Sequence, residues 1–160
     1  MRVRGFGAIV AFVLGTCTGG PLWAVDLLPI GGGPVSVRLG PAGFGPVAVV
    51  VQDNATGRCW TNIAETRRHA EEGLRVLGYT LDPGAVGKLE VTVAAWRGED
   101  RACAGTILLR MRNTDFGADM DFAERAYAVA PDAATKNINL HVIAALDDLF
   151  AAMTAAGPAP

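Results

Sequence analysis

The chain has 160 residues, with 14 Lys and Arg against 16 Asp and Glu, and a formal net charge of −2. This length is typical of a single domain. The charge leaves no excess of basic side chains to neutralise a row of phosphates, which argues against general nucleic-acid binding. Because 51% of the residues are hydrophobic, the composition also excludes an intrinsically disordered chain.

The first 24 residues have the features of a bacterial signal peptide. Arg2 and Arg4 precede the apolar run Phe6–Leu14. This run is too short to cross a bilayer core of about 30 Å as a helix, but it matches the hydrophobic segment of an export signal. We therefore predict an exported protein whose location is the periplasm.

Two sites compete for cleavage of this signal. The stretch Leu14-Gly15-Thr16-Cys17 has the outline of a lipobox, the recognition sequence of bacterial lipoproteins, while Leu22-Trp23-Ala24 permits ordinary cleavage after Ala24. Lipidation of Cys17 would tether the protein to the outer membrane, whereas cleavage after Ala24 would release it. Both alternatives stay open from the sequence.

After the signal, the chain divides into a tether, one domain and a tail. Residues 25–45 are rich in glycine and proline, which interrupt regular structure. Within them only the alternating stretch Val35–Leu39 predicts a short edge strand. Residues 46–156 carry the periodic patterns of one α/β domain, and residues 157–160 form a tail.

Cys59 and Cys103 are the only cysteines inside the predicted domain. In an oxidising compartment such a pair predicts one disulfide bond. The alternative, a reactive or metal-binding thiol pair, lacks both CxxC spacing and a histidine near either cysteine. We therefore expect a disulfide and no metal site.

The first half of the domain predicts a strand followed by a helix. The continuous apolar run from Pro46 to Gln52 favours a strand that is covered on both faces or lies centrally in a sheet. Asn62, with Glu65 three residues later, resembles a capping box at a helix start, and Gly78 is a typical residue after a helix end. One helical stripe is apolar and comprises Ile63, Ala70, Leu74 and Leu77.

From Lys88 the hydrophobic period changes to two, which predicts β-strands. Three strands follow with short connections, from Lys88, from Cys103 to Arg112 and from Met120 to Ala130, so they form an antiparallel meander. A last helix, with Thr135 or Asn137 as its cap, carries an apolar stripe of Ile138, Val142, Ala145, Leu146, Leu149 and Met153.

The predicted order is thus β-α-β-β-β-α in the α/β class. The simplest packing is a two-layer α/β sandwich with one mixed sheet, both helices on one face and a right-handed first crossover.

No group of residues predicts a catalytic site, a metal site or a cofactor. The only serine, Ser36, lies in the tether and outside any G-x-S-x-G motif. His69 shares a helix surface with Glu65 and Glu72, but that surface is opposite the apolar stripe and is typical of a solvated helix face. The glycines of the tether precede a strand and not a helix, which is the wrong context for a phosphate loop. We expect a protein that is not an enzyme.

Binding is the better-supported class of function. Arg110 and Arg112 share one face of the second meander strand, Arg125 lies on the next strand, and Trp96 precedes the hairpin. On an open sheet face these side chains would contact an envelope protein, a lipid headgroup or a glycan. The alternative is that the arginines pair across strands with Glu90 and Glu124.

Several stretches resemble small envelope lipoproteins of the YajG type over residues 46–155. They are Leu77-Gly78-Tyr79, Leu89-Glu90-Val91-Thr92-Val93, Arg125-Ala126-Tyr127 and Ala134-Thr135-Lys136-Asn137-Ile138. The succession of helix, Gly-Tyr and strand is also similar to that of LptE-type lipopolysaccharide-assembly lipoproteins. The resemblance implies an accessory or scaffolding role in the envelope and transfers no catalytic residue.

The sequence therefore predicts an exported, non-enzymatic accessory or scaffolding domain that binds another component of the bacterial envelope. The alternative is a periplasmic module that binds a small molecule or lipid in a cavity between helices and sheet.

Overall fold

The computed structural model describes residues 27–31, 40–116, 121–132 and 135–156. The predicted signal peptide with Cys17, the predicted strand at 35–39, Ser36 and the tail at 157–160 lie outside these ranges. Within them, no helix is both long enough and apolar enough to cross a membrane.

The described residues form one mixed sheet with helices packed on it. In chain order the elements are β1 (Leu28–Gly31), α1 (Pro41–Phe44), β2 (Val47–Asp53), α2 (Ile63–Val76), β3 (Gly87–Arg97), β4 (Cys103–Asn113), a 3₁₀ turn (Thr114–Phe116), β5 (Asp121–Val129) and α3 (Asn139–Ala156). The strands run in the order β1-β5-β4-β3-β2, with β2 and β3 parallel and all other neighbours antiparallel. This confirms the predicted α/β class and the meander of β3, β4 and β5.

The period-two pattern of β3 separates a core face from an outer face. Leu89, Val91 and Val93 are completely buried, and they lie on the side that α2 and α3 cover. Of the predicted apolar stripe, Ile138 lies just before α3 and the other five residues lie in it, and all six are buried against the same core. α2 and α3 each contact the sheet and also contact one another, which is the arrangement that the predicted two-layer packing requires.

The position of β2 differs from the prediction. Its apolar run Val47–Val51 favoured a strand that is covered on both faces or lies centrally, but β2 lies at an edge of the described sheet. The β3–β4 hairpin occupies one side of β3 and β2 occupies the other, and no described strand lies beyond β2. The run is apolar because its inner residues Val47 and Val49 are buried against the core.

The start of α2 also differs in detail. The helix begins after Asn62 as predicted, yet the Asn62 side chain makes no capping hydrogen bond to the backbone. Its backbone angles, φ −97° and ψ 39°, lie outside the extended conformation that a capping side chain needs. Asn62 contacts the Glu65 carboxylate only through its side-chain amide, at 3.5 Å. The helix end matches the prediction, because Gly78 has φ 88°.

A close contact sets the distance between the two long helices. A Cβ atom on Gly73 of α2 would lie 2.2 Å from the ring of Phe150 on α3, so only glycine permits this approach. One turn earlier on α2, the His69 Nε2 and Asp147 Oδ1 atoms form a 2.7 Å hydrogen bond between the helices.

The predicted disulfide bond is present and joins Cys59, before α2, to Cys103 at the start of β4. Both residues are completely buried. Their backbones also hold the segment that leads into α3, since the Cys103 N–H donates to the Thr135 carbonyl and the Ile138 N–H donates to the Cys59 carbonyl. The bond therefore lies where β4 and the approaches to both long helices meet.

Removing this bond tests its contribution to stability. Cys59→Ala opens a loop with a sequence separation of 44, and the chain-entropy relation gives a loss of up to roughly 4 kcal/mol in the free energy of unfolding. Urea unfolding without reductant should show this loss. With reductant, wild type and variant should unfold at similar urea concentrations, and an undiminished difference there would contradict a stabilising disulfide.

Candidate functional site: the outer face of the sheet

The face of the sheet opposite α2 and α3 carries Trp96, Arg110 and Arg112, three of the four residues that the sequence proposed for binding. We call this surface the outer face. Strand register aligns its residues in rows across β3, β4 and β5. Its members are Lys88, Glu90, Thr92, Ala94 and Trp96 of β3, Ala104, Thr106, Leu108, Arg110 and Arg112 of β4, and Glu124, Ala126 and Ala128 of β5.

One end of the outer face is charged and internally paired. Arg112 Nη2 donates to Glu90 Oε1 at 2.6 Å, and Arg110 Nε donates to Glu124 Oε2 at 2.9 Å. Glu90 lies directly opposite Arg110 in the register. Charges therefore alternate across the three strands, and each carboxylate lies beside a guanidinium. The cross-strand pairing that the sequence left as an alternative is what the structure contains.

The other end of the outer face is apolar. Trp96 is 54% exposed and lies opposite Ala104, with Ala94 and Thr106 in the next row of the same face. Ala128 lies in that row on β5, and Leu108 and Ala126 lie one row further. Leu28 of β1 pairs with Ala128 and is itself 53% exposed. An exposed indole beside small and aliphatic side chains can bury a large apolar area against a partner at low cost in side-chain entropy.

Arg125 does not belong to the outer face. It lies opposite Leu109 in the register, and Leu109 is completely buried on the helix side. The Arg125 Nε atom is 3.8 Å from Asp148 Oδ2 on α3. The structure therefore separates Arg125 from Arg110 and Arg112, because strand residues one position apart point to opposite faces.

Tyr127 completes the polar contact between β5 and α3. Its hydroxyl donates to Asp148 Oδ2 at 2.5 Å. Burial raises the pKa of the Tyr127 hydroxyl, and the hydrogen bond to Asp148 raises it further, so Tyr127 stays protonated as a donor at neutral pH. This contact positions α3 and contributes nothing to the outer face.

Arg97 has a role that sequence reasoning missed. Its guanidinium donates to three backbone carbonyls, those of Gly57, Arg101 and Lys136, at 2.9, 2.6 and 3.1 Å. It thus ties the β3–β4 hairpin to the loops before α2 and α3. The sequence contains no signal for this role, because the three acceptors are backbone atoms that only the tertiary fold brings together.

The helix surface around His69 contains no metal centre. His69 is engaged by Asp147 of α3 at 2.7 Å, and Glu72 lies 3.5 Å from Arg75. Over the residues that the structure describes, no group of three or more His, Cys, Asp or Glu side chains could hold a metal ion. Glu65 contacts Asn62 and not His69.

Comparisons with known proteins give structural neighbours only. No protein-family model matches the chain, and no curated protein matches it. Among solved structures it is similar to a PelC dodecamer from Paraburkholderia phytofirmans in space group P6, with 12% identity over 80% of this chain and 96% of that chain, at a TM-score of 0.48. A variant of the same dodecamer in space group C2 has 14% identity over 69% of this chain and 87% of that chain, at a TM-score of 0.45.

The two arginine–glutamate pairs differ in burial, so replacing the arginine of each pair should lower the free energy of unfolding by different amounts. Arg112→Ala leaves the buried Glu90 carboxylate without its ion partner, so we expect a loss of about 1–3 kcal/mol in the free energy of unfolding. Arg110→Ala removes a more exposed pair and should cost about 0–1 kcal/mol. Urea unfolding of both variants at neutral pH measures the difference. Equal losses would contradict the assignment of Glu90 as the buried member.

Proposed function

We propose that this protein is an exported, non-enzymatic domain of the bacterial cell envelope that binds another envelope component through the apolar end of its outer face. The observation that carries the proposal is the exposed Trp96 beside Ala94 and Ala104, on a face that continues with Ala128 of β5 and Leu28 of β1. Exposed tryptophan surrounded by apolar side chains is characteristic of binding surfaces, where aromatic anchors supply much of the affinity.

The charged end of the same face supports an orienting role. Arg110 and Arg112 already have carboxylate partners, so a new ligand would gain little from either guanidinium. Their alternating charges instead favour a partner whose own charges match this order, because complementary charges determine the orientation of docking more than its affinity.

Two features support export. The positive residues before the run Phe6–Leu14 suit a signal peptide, and the buried Cys59–Cys103 disulfide suits an oxidising compartment such as the periplasm. In this proposal the mature chain begins either at a lipidated Cys17, which holds the domain at the outer membrane, or after Ala24.

Intact mass spectrometry of the protein from its native envelope tests export and distinguishes the two possible N-termini of the mature chain. An acylated N-terminus at Cys17 gives a membrane-tethered protein, and a free N-terminus at Val25 gives an untethered periplasmic one. Either result, together with two thiols that alkylate only after reduction, supports the proposal. A mass that retains residues 1–24 together with free thiols at Cys59 and Cys103 would overturn it.

A photo-crosslinking amino acid at position 96 tests the binding surface. In the native envelope, the full chain with this replacement for Trp96 should form one dominant adduct, because the side chain lies inside the proposed contact. The same replacement at Leu140, which is 69% exposed on α3, is the matched control and should not form that adduct. Both variants should keep the wild-type thermal midpoint.

A second substitution connects the adduct to the outer face. Ala94→Glu introduces a charge beside position 96 on the same face and should abolish the adduct from position 96, since a carboxylate buried in an apolar contact lacks a partner. An adduct of equal yield at positions 96 and 140, or one that survives Ala94→Glu, would contradict the proposed surface.

A further inference from the structure

The chain enters the folded domain at the end of the sheet that carries the β3–β4 hairpin, which we call the hairpin end. β1 pairs antiparallel with β5, with Leu28 opposite Ala128 and Gly31 opposite Ala126. β5 runs towards the hairpin end, where Ala128 lies opposite Thr106 of β4. β1 therefore begins near the hairpin end and runs away from it.

The length of chain between Cys17 and the domain limits which surface can face a membrane. Ten residues separate Cys17 from Leu28, and such a segment spans at most about 36 Å when fully extended. β3 and β4 have 11 residues each, so each strand is itself about 36 Å long. A lipidated Cys17 thus holds the hairpin end close to a bilayer, whereas the opposite end would reach it only if the whole segment were stretched along the sheet.

The apolar end of the outer face lies at this same end of the sheet. Trp96 is 54% exposed and Leu28 is 53% exposed, and Ala104 and Ala128 lie on the strands between them. All four residues of β1 are exposed, so the apolar side chains of this strand add to the surface and not to the core. Tryptophan is typical of the interface between lipid headgroups and acyl chains, because the indole has a large apolar body and one N–H donor.

Charge contributes little at the hairpin end. Among the residues that the structure describes there, the basic side chains are matched in number by acidic ones, with Arg58, Arg97, Arg101 and Lys136 against Asp53, Glu99, Asp100 and Asp132. Binding to anionic lipids is strong where basic side chains are clustered without such compensation. Apolar contact, and not attraction to anionic headgroups, is therefore the interaction that this surface offers to a bilayer.

We propose that the apolar end of the outer face docks on the surface of a phospholipid bilayer, with Trp96 and Leu28 in the headgroup region. The inference rests on the proposed function and on its lipidated start at Cys17, and it names the bilayer as the envelope component that this surface contacts. Because Cys17 keeps the surface near the bilayer, docking is an intramolecular step, and a contact of modest affinity is then largely occupied.

Tryptophan fluorescence in vesicles tests this docking with the acylated mature chain. The vesicles contain phosphatidylethanolamine and phosphatidylglycerol, with or without bromine on acyl carbons near the headgroup, since bromine quenches only an indole close to it. The difference between wild type and Trp96→Phe isolates the emission of Trp96, because Trp23 and Trp60 are present in both proteins. We expect this emission to shift to shorter wavelength in vesicles and to be quenched by the brominated lipid.

A tryptophan at the opposite end of the sheet is the matched control. Phe116 is 42% exposed in the turn after β4, so the double variant Trp96→Phe/Phe116→Trp carries its reporter about one strand length from the bilayer. The brominated lipid should not quench that reporter. Cooperative thermal unfolding shows that the variant is folded.

A charge in the proposed contact separates docking from simple attachment through Cys17. Ala128→Glu places a carboxylate on the outer face between Trp96 and Leu28, and it should abolish the quenching of Trp96, since a carboxylate among acyl chains lacks a partner. The variant should stay attached to the vesicles through its lipidated N-terminus. High salt should leave the quenching of wild type unchanged, because screening weakens charge attraction and not apolar contact.

Four results would overturn the inference: equal quenching at positions 96 and 116, no quenching of Trp96, quenching that survives Ala128→Glu, or quenching that disappears at high salt. A mature chain that begins at Val25 would also overturn it, while export would still be supported. If position 96 crosslinks to a protein in the native envelope and Trp96 is not quenched, the bilayer is wrong and the proposed binding surface stands. The absence of both the adduct and the quenching would contradict both proposals.

Discussion

The burial of one face of β3 and β4 beneath α2 and α3 is the interaction on which the rest of the structure depends. Leu89, Val91, Ile107 and Leu109 are completely inaccessible to solvent, and each apolar side chain of this size contributes about 1.5–3 kcal/mol when it leaves water. Because strand residues alternate, burying these positions turns their neighbours to the other side. The outer face is therefore a direct consequence of how the core is built.

The two ends of the sheet are closed by different chemistry. At the hairpin end, the Cys59–Cys103 disulfide and the Arg97 guanidinium connect β3 and β4 to the loops before α2 and α3. At the opposite end, the Phe44 ring packs edge to face against Tyr79 and Phe122 at centroid distances of 5.9 and 4.9 Å. The hairpin end relies on covalent and polar links, while the opposite end relies on aromatic packing. Trp96 therefore lies at the hairpin end of the sheet, next to the disulfide-bonded segment.

Local patterns in the sequence determined the faces of the elements. The period of two in β3, the α3 stripe from Ile138 to Met153 and the pairing of Cys59 with Cys103 all follow from residue types and spacing, and the structure confirms them. The order of the strands, and the direction of the side chains where the strand register shifts, followed only from the tertiary structure. β2 lies at the edge because β3 pairs with one side of it and no described strand lies beyond the other.

A similar limit applies to β5 and to the arginines. A register shift opposite Met111 and Arg112 places Phe122 in the aromatic cluster. Arg125 lies in the regular register opposite the buried Leu109 and therefore faces α3. Sequence periodicity cannot reveal such a shift, because the extra residue in a bulge changes the facing without changing the local composition. The sequence thus determined which side of each regular element is buried, whereas only contacts between distant segments decided strand order, the bulge and the acceptors of Arg97.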